Sequence, residues 1–375
     1  MPNSVFQDKA QEILSLAGIT INGGKPWDIQ INNESFYHRI LSQGSLALGE
    51  SYMDGWWDVP ALDQFFDKVL SVPNIEKQVN VDLKTLLLVP KAHLLNMQTK
   101  ARSTKVAMQH YDLGNDFYEK MLDPNMQYTC GYWKEAKDLN KAQEDKLHLI
   151  CKKAMLKPGE TVLELGCGWG GFARFAAKNY GVKVTGYNIS KEQVAYAKEK
   201  GKGLDVKFIL SDYREATGVF DKVVSIGMAE HVGYRNYRGF MELAHRCLKQ
   251  DGIFFLHTIG GSKSVTGTDP WIEKYIFPNS MLPSIAQLSK AAERLFVMED
   301  WHNLSTNYDK TLMAWYENFE RNWPTIKSDH FNDRFYRMWK YYLLCCAGSF
   351  RSRRNQLWQI VYSKGGVRSG YESIR

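Results

Sequence analysis

From residue 161 onward the chain alternates short apolar runs with amphipathic stretches. Residues 161–165, 182–187, 206–210, 222–226 and 252–259 predict strands, while 169–178, 192–200 and 237–248 carry apolar positions at helical spacing. Near-continuous apolar strands separated by helices predict a largely parallel sheet covered on both faces. Further helices follow, and 357–362 predicts a final strand. Before residue 98 the pattern is less regular. A helix is predicted over 4–16, stopping at Gly18, and short alternating stretches at 19–21 and 28–31 flank the turn Asn22-Gly23-Gly24. Helices are predicted over 62–69 and over 82–97, the second interrupted at Pro90. The small, polar and basic residues 98–109 predict a linker, which divides the chain into a small mixed α/β domain, 1–97, and an α/β domain, 110–375. Within the second, the Gly-, Ser- and Pro-rich stretch 261–290 reads as an insertion able to lie over a site.

Composition narrows the class. Of 375 residues, 44% are hydrophobic and 24% charged, which excludes a disordered chain. The net charge of +7 is modest and scattered, so a nucleic-acid partner is disfavoured and an anionic membrane surface is allowed. No run approaches the roughly 18 apolar residues of a membrane span. The opening Met1-Pro-Asn-Ser-Val-Phe lacks a secretory pattern, and Cys130, Cys151, Cys167, Cys247, Cys345 and Cys346 do not form a disulfide framework. Both features predict a cytoplasmic protein. Without C-x-x-C or H-E-x-x-H, no metal site is expected.

The strongest motif is Val162-Leu-Glu-Leu-Gly-Cys-Gly-Trp-Gly-Gly171, where a predicted strand turns through glycines into a helix. Such a loop lets a ligand approach the backbone and the helix N–H groups. The glycines alone also fit a dinucleotide fold. Two residues discriminate: Glu164 at the strand end makes E-x-G-x-G-x-G, which resembles motif I of S-adenosylmethionine-dependent methyltransferases, and Asn188 stands where a nicotinamide site wants an acid.

Further segments join this one: His110-Tyr-Asp-Leu-Gly-Asn-Asp116, Met126-Gln-Tyr-Thr-Cys-Gly-Tyr-Trp133, Gly227-Met-Ala-Glu-His-Val-Gly233 and His257-Thr-Ile-Gly260. With Gly49-Glu-Ser-Tyr-Met-Asp-Gly-Trp-Trp57 and Tyr308, the set resembles the bacterial cyclopropane fatty acid synthases over nearly the whole chain. The resemblance implies a Rossmann-like class I methyltransferase sheet with helices on both faces, preceded by a small domain for lipid capture and dimerisation. It implies methylene transfer from S-adenosyl-L-methionine to the cis double bond of an unsaturated phospholipid acyl chain, by a homodimer peripheral at the inner membrane leaflet. The rival on the same fold is a lipid methyltransferase that stops at a methyl-branched or hydroxylated product.

Roles carry over by position. Bicarbonate, the family's base, would be held by Glu230, His257 and Tyr308 with the backbones of Cys130 and Ile259. Glu230 is expected to act by orienting a donor or stabilising the cation, because two anions repel. The cofactor positions are Tyr128, Thr129, Glu164, Gly166, Cys167, Gly168, Gly170, Asn188, Ser190, Gln193, Asp212 and Tyr213, with Asn188 and Gln193 toward ribose and Tyr213 over adenine. Asn188, Thr129 and Ala229 depart from the family's usual Thr, Ser and Phe. Tyr132, Trp133, Tyr234, Tyr237 and Phe277 are candidates for the acyl pocket wall. Cys346 matches a cysteine credited with function, although its Leu and Ala neighbours read as core. His231 reads as structural. The basic clusters Lys100, Arg102, Lys105 and Arg351, Arg353, Arg354 are either solvated faces or headgroup contacts.

Overall fold

Strands 161–165 and 206–210 form as their apolar runs predict, the one predicted at 182–187 lies one residue later, and those predicted at 222–226, 252–259 and 357–362 extend by a few residues. The computed structural model describes residues 3–75 and 113–375, so the predicted helix over 82–97, the linker, and His110 to Asp112 lie outside the described residues. In chain order the strands are β1 (Gln30–Ile31), β2 (Trp57–Asp58), β3 (Thr161–Leu165), β4 (Lys183–Asn188), β5 (Val206–Leu210), β6 (Phe220–Ile226), β7 (Leu248–Gly261), β8 (Val297–Asn303) and β9 (Asn355–Ser363). The helices are α1 (Asn3–Ser15), α2 (Ser35–Gln43), α3 (Ser45–Met53), α4 (Leu62–Ser71), α5 (Asn115–Met121), α6 (Leu139–Lys153) and α7 (Gly171–Tyr180). They continue as α8 (Lys191–Lys200), α9 (Ala229–Val232), α10 (Tyr237–Arg246), α11 (Pro270–Tyr275), α12 (Ile285–Ala292), α13 (Ser305–Ile326) and α14 (Asp333–Arg351).

These elements form two compact units. One carries a seven-stranded sheet in the order β5-β4-β3-β6-β7-β9-β8. Strands β3 to β7 pair in parallel, and β8 pairs antiparallel with β9. The order reverses between β3 and β6, and in such sheets ligands bind at the C-terminal strand ends beside that reversal. Alternation along the strands feeds two cores. Leu163, Leu165, Val223, Phe254 and Leu256 pack with α10 and α12, whereas Val162, Val224, Ile253, Phe255 and Val361 pack with α6, α7 and α8. By the same period of two, Glu164, His257 and Gln359 face the α6 side.

β8 lies where only helices were predicted. It is an edge strand with a bulge between Met298 and Asp300, so its polar sequence shows no clean alternation. Residues 19–21 form no strand, and β1 pairs instead with β2.

The other unit is discontinuous. Residues 267–278 and 308–355, expected within the C-terminal domain, belong with the N-terminal segment. Packing explains this: a Cβ on Gly348 of α14 would lie 2.6 Å from Phe66 Cβ and 2.7 Å from Asp63 O of α4, so the helices meet backbone to backbone. Arg351 donates to Asp309 (2.9 and 3.0 Å) and Asp63 (2.6 Å), and is therefore committed to this unit. Glu50 of α3 accepts from Arg39 (2.6 Å), Lys274 (2.6 Å) and Tyr275 (3.0 Å). Burial works to raise its carboxyl, but these donors hold it below its ordinary range. The stretch 261–290 is thus shared between the two units. Trp57 is fully buried, as core, while Trp56 is half-buried beneath the Arg39 guanidinium, 4.9 Å from its ring. No helix among the described residues is long and apolar enough to cross a membrane.

Candidate active site

After Leu165 the backbone turns through Gly166, Gly168 and Gly170 at φ of 82°, 51° and 72°. Residues with side chains adopt this left-handed region at a cost of roughly 1–2 kcal/mol each. Space adds to the requirement. A Cβ on Gly166 would lie 2.7 Å from Met228 Sδ, and one on Gly170 2.6 Å from Phe208 Cε1. A Cβ on Gly168 would meet nothing within 4 Å, so this glycine alone of the three presents an open side to a ligand. Cys167 is a packing residue: burial pushes its thiol well up, and it sits against Gly186 of β4.

The neighbouring strand ends brace this loop. Asn188 Nδ2 donates to Gly168 O (3.0 Å) and to Gln193 Oε1 (2.8 Å). Ser190 caps α8, its Oγ accepting from Gln193 N–H. The amide expected at ribose is therefore spent on shaping the glycine loop. Asp212 accepts from the Arg214 backbone N–H (2.9 Å) and guanidinium (3.3 Å). Tyr213 meets Phe240 edge-on at 5.8 Å with the Arg214 guanidinium 5.1 Å over its ring.

The segment around Tyr128 and Thr129 comes to the same edge. Tyr128 meets Tyr118 at 5.4 Å, and Tyr118 meets Trp169 of the glycine loop at 4.9 Å. A Cβ on Gly227, just past β6, would lie 2.7 Å from Thr129 Cγ2. Beneath lies a cluster the sequence reading did not single out. Lys146 of α6 is fully buried and donates through Nζ to Gln127 Oε1 and to Thr129 Oγ1 (3.0 Å). Gln143 donates to Thr129 O at 2.8 Å. Burial pushes the Glu164 carboxyl up to about 8 against the pull of Lys146 and Arg174, and Oε2 has no hydrogen-bond partner among the described residues. Burial likewise pushes Lys146 down to about 8, against the pull of Asp123, Cys130 and Glu164. A signal for Lys146 exists in the sequence: Leu139, Ala142, Lys146 and Ile150 share one stripe of α6, and their common face is buried.

Glu230 sits on α9, directly after β6. Its Oε1 accepts the Ile259 N–H at 2.6 Å, and its Oε2 has no partner among the described residues. Burial pushes its carboxyl up to about 7. The Ile259 N–H assigned by resemblance to bicarbonate is thus directed to Glu230. Two residues before Ile259 on the same strand, His257 is buried, with Nδ1 3.4 Å from Gln359 Nε2 and Nε2 without a partner among the described residues. With the Gln359 amide in this orientation, Nδ1 accepts and Nε2 carries the hydrogen. Burial, then Lys146 and Lys153, push this imidazole well below its usual range, so it stays neutral. His231, next to Glu230 in sequence, is pushed down to about 4 by burial, in keeping with a structural role.

Cys130 is buried in the same unit, its Sγ 3.1 Å from Gly131 O. Tyr308 and Cys346 belong to the other unit. Tyr308 stacks on Phe350 at 4.5 Å, and Cys346 is half-buried on α14, its carbonyl accepting from Ser349 Oγ at 2.8 Å. Among the aromatic candidates, Tyr132 meets His302 at 6.3 Å, the Trp133 N–H donates to Asn307 Oδ1 at 2.6 Å, and Tyr234 OH accepts from Arg235 at 3.0 Å. Tyr237 is buried on α10, and Phe277 meets Tyr342 within the discontinuous unit.

The chain is similar to known proteins in sequence and in fold. The profile of the mycolic acid cyclopropane synthetase family matches residues 98–360. The cyclopropane-fatty-acyl-phospholipid synthase of Escherichia coli (strain K12) is 52% identical over 375 residues, covering 100% of this chain and 97% of that protein. Among solved structures, the cyclopropane synthase MmaA2 from Mycobacterium tuberculosis is 29% identical with a TM-score of 0.65, covering 70% of this chain and 98% of its own. The mycolic acid cyclopropane synthase CmaA1 complexed with SAH and CTAB is 30% identical with a TM-score of 0.63, at the same coverages of 70% and 98%. The sheet is accordingly that of a class I methyltransferase, and the chain belongs to the mycolic acid cyclopropane synthetase family.

Proposed function

We propose that this protein transfers a methylene group from S-adenosyl-L-methionine to the cis double bond of unsaturated acyl chains in membrane phospholipids, closing a cyclopropane ring. The observation that carries the reading is the pair Glu230 and His257, in a chain of this family. Both are buried at the ligand-binding edge, and each keeps a polar atom without a partner among the described residues.

The open side of Gly168 and the open oxygen of Glu164 fit S-adenosylmethionine, a ligand with cationic groups and ribose hydroxyls. When bound it supplies an electrophilic methyl group, and bicarbonate supplies a base for the proton lost on ring closure. Gly168, Glu164, Gln193, Asp212 and Tyr213, with Tyr128 and Thr129, would hold the first. Glu230 Oε2 and the His257 Nε2–H fit the second, an anion with one hydroxyl to give and oxygens to accept. The repulsion expected between Glu230 and an anion is eased because burial favours its protonated form near neutral pH. His257, being neutral, donates without adding positive charge beside a substrate carbocation. Burial of both groups keeps out the water that would trap that cation as an alcohol.

Tyr308, the Cys130 backbone and Cys346 enter the site on resemblance alone. On the same ground the protein acts as a homodimer at the inner membrane leaflet, the N-terminal segment helping lipid capture. Mass spectrometry of vesicle lipids after incubation with S-adenosylmethionine tests the reading. Unsaturated chains should each gain one CH₂ and saturated ones none, with the gain falling in buffer stripped of carbon dioxide. A mass gain in the headgroups instead would refute it.

A further inference from the structure

The buried cluster under the glycine loop holds a cation with no role in the reading above. Lys146 is fully buried, and a buried ammonium persists only where hydrogen bonds and a counter-charge offset its desolvation. Its hydrogen bonds go to Gln127 Oε1 and Thr129 Oγ1, on either side of Tyr128. Two buried carboxyls supply countercharge. Asp123 has both oxygens engaged, accepting from the Asn125 and Gln127 N–H groups at 2.8 Å each. Glu164 has Oε2 open, and strand alternation turns it to the α6 face from which Lys146 projects.

We propose that Lys146 is a positioning residue for the methyl-donor site: it fixes the Gln127–Thr129 segment and is the counter-charge that lets Glu164 meet a cationic ligand as a carboxylate. The inference rests on the S-adenosylmethionine reading above. Without Lys146, the same oxygen would remain a neutral acid before the ligand's ammonium group up to a higher pH.

A mere packing role and this role differ in pH dependence. The groups that act on Lys146 are Asp123, Cys130 and Glu164, those on Glu164 are Lys146 and Arg174, and Lys146 itself acts on His257. Glu164 in turn bears on the thiols of Cys151 and Cys167, which burial pushes up, and burial keeps His257 neutral. Near neutral pH the changing charges therefore lie on Glu164 and Lys146. Binding that needs the Glu164 carboxylate is present above its pKa and is lost as pH falls through it. Removing Lys146 moves that loss to higher pH.

The test is calorimetric affinity for S-adenosylhomocysteine between about pH 6 and about pH 9, which spans the window of these groups. Lys146→Gln retains a donor and removes the charge, and Lys146→Arg retains the charge. For Lys146→Gln the acid-side loss should move up by roughly one unit, so binding near neutrality weakens about tenfold and recovers toward the wild type at the alkaline end. Lys146→Arg should keep the wild-type profile. An equal loss at every pH, or no loss, would overturn the proposal. Should Lys146→Gln fail to fold, Lys146→Met is read by the same criteria. A wild-type protein that binds no S-adenosylhomocysteine at any pH would overturn the underlying reading, and this inference with it.

Discussion

At the scale of single residues, the candidate site is built from buried groups held away from their ordinary charge. Glu230 is the clearest. Its carboxyl, at about 7 in the fold against 4.5 for an unperturbed glutamate, binds its proton more tightly folded than unfolded. Stability from this group is therefore fully present below about pH 4.5 and falls away as pH rises through 7. Glu230→Gln removes that dependence. Thermal unfolding should find the variant more stable than the wild type at pH 8, by up to about 3 kcal/mol, with the gap closing at pH 5. Its turnover should fall by a factor of at least about 100 while methyl-donor affinity changes little, as expected of a group at the reacting centre. Equal losses in both would assign it to the cofactor instead. Glu230 and His257 were legible in sequence because they follow apolar strands at the edge where such sheets bind ligands. Lys146 was not, since the helix Leu139–Lys153 is rich in lysine and reads as solvated unless its apolar stripe is traced.

At the scale of elements, the loop from β3 to α7 carries the strictest local demand. Gly170→Ala meets both positive φ and the Phe208 ring, whereas Gly168→Ala meets strain alone. Gly170→Ala should therefore cost about 2–4 kcal/mol of stability in urea unfolding. Gly168→Ala should cost about 1 kcal/mol yet weaken S-adenosylhomocysteine more than tenfold, because its Cβ projects into the open side. Stability losses in the opposite order would contradict the assignment of the open face. The loop and the parallel strands were readable because burial on both faces writes continuous apolar runs. β8 was not, because one edge is unpaired, a bulge shifts its register, and Glu299 and Asp300 interrupt its apolar residues.

At the scale of the whole molecule, periodicity reports which faces are buried but not against which partner. Residues 267–278 and 308–355 read as parts of the C-terminal domain, yet Gly348, Glu50 and Arg351 tie them to the N-terminal segment through contacts far apart in sequence. The engagement of Arg351 also removes it from the cations available to a membrane, while Arg353 remains exposed. With a net charge of +7, binding to anionic phospholipid vesicles should weaken several-fold between low and physiological salt, as flotation would measure. Salt-independent binding would point to apolar insertion alone. Ring closure on an acyl double bond is the decisive step, and mass cannot separate a ring from a methyl-branched alkene. Proton NMR of lipid recovered from unsaturated vesicles, after incubation with protein and S-adenosylmethionine, can. Upfield cyclopropyl protons should grow as olefinic signals decline; a methyl-branched or hydroxylated product would contradict ring closure.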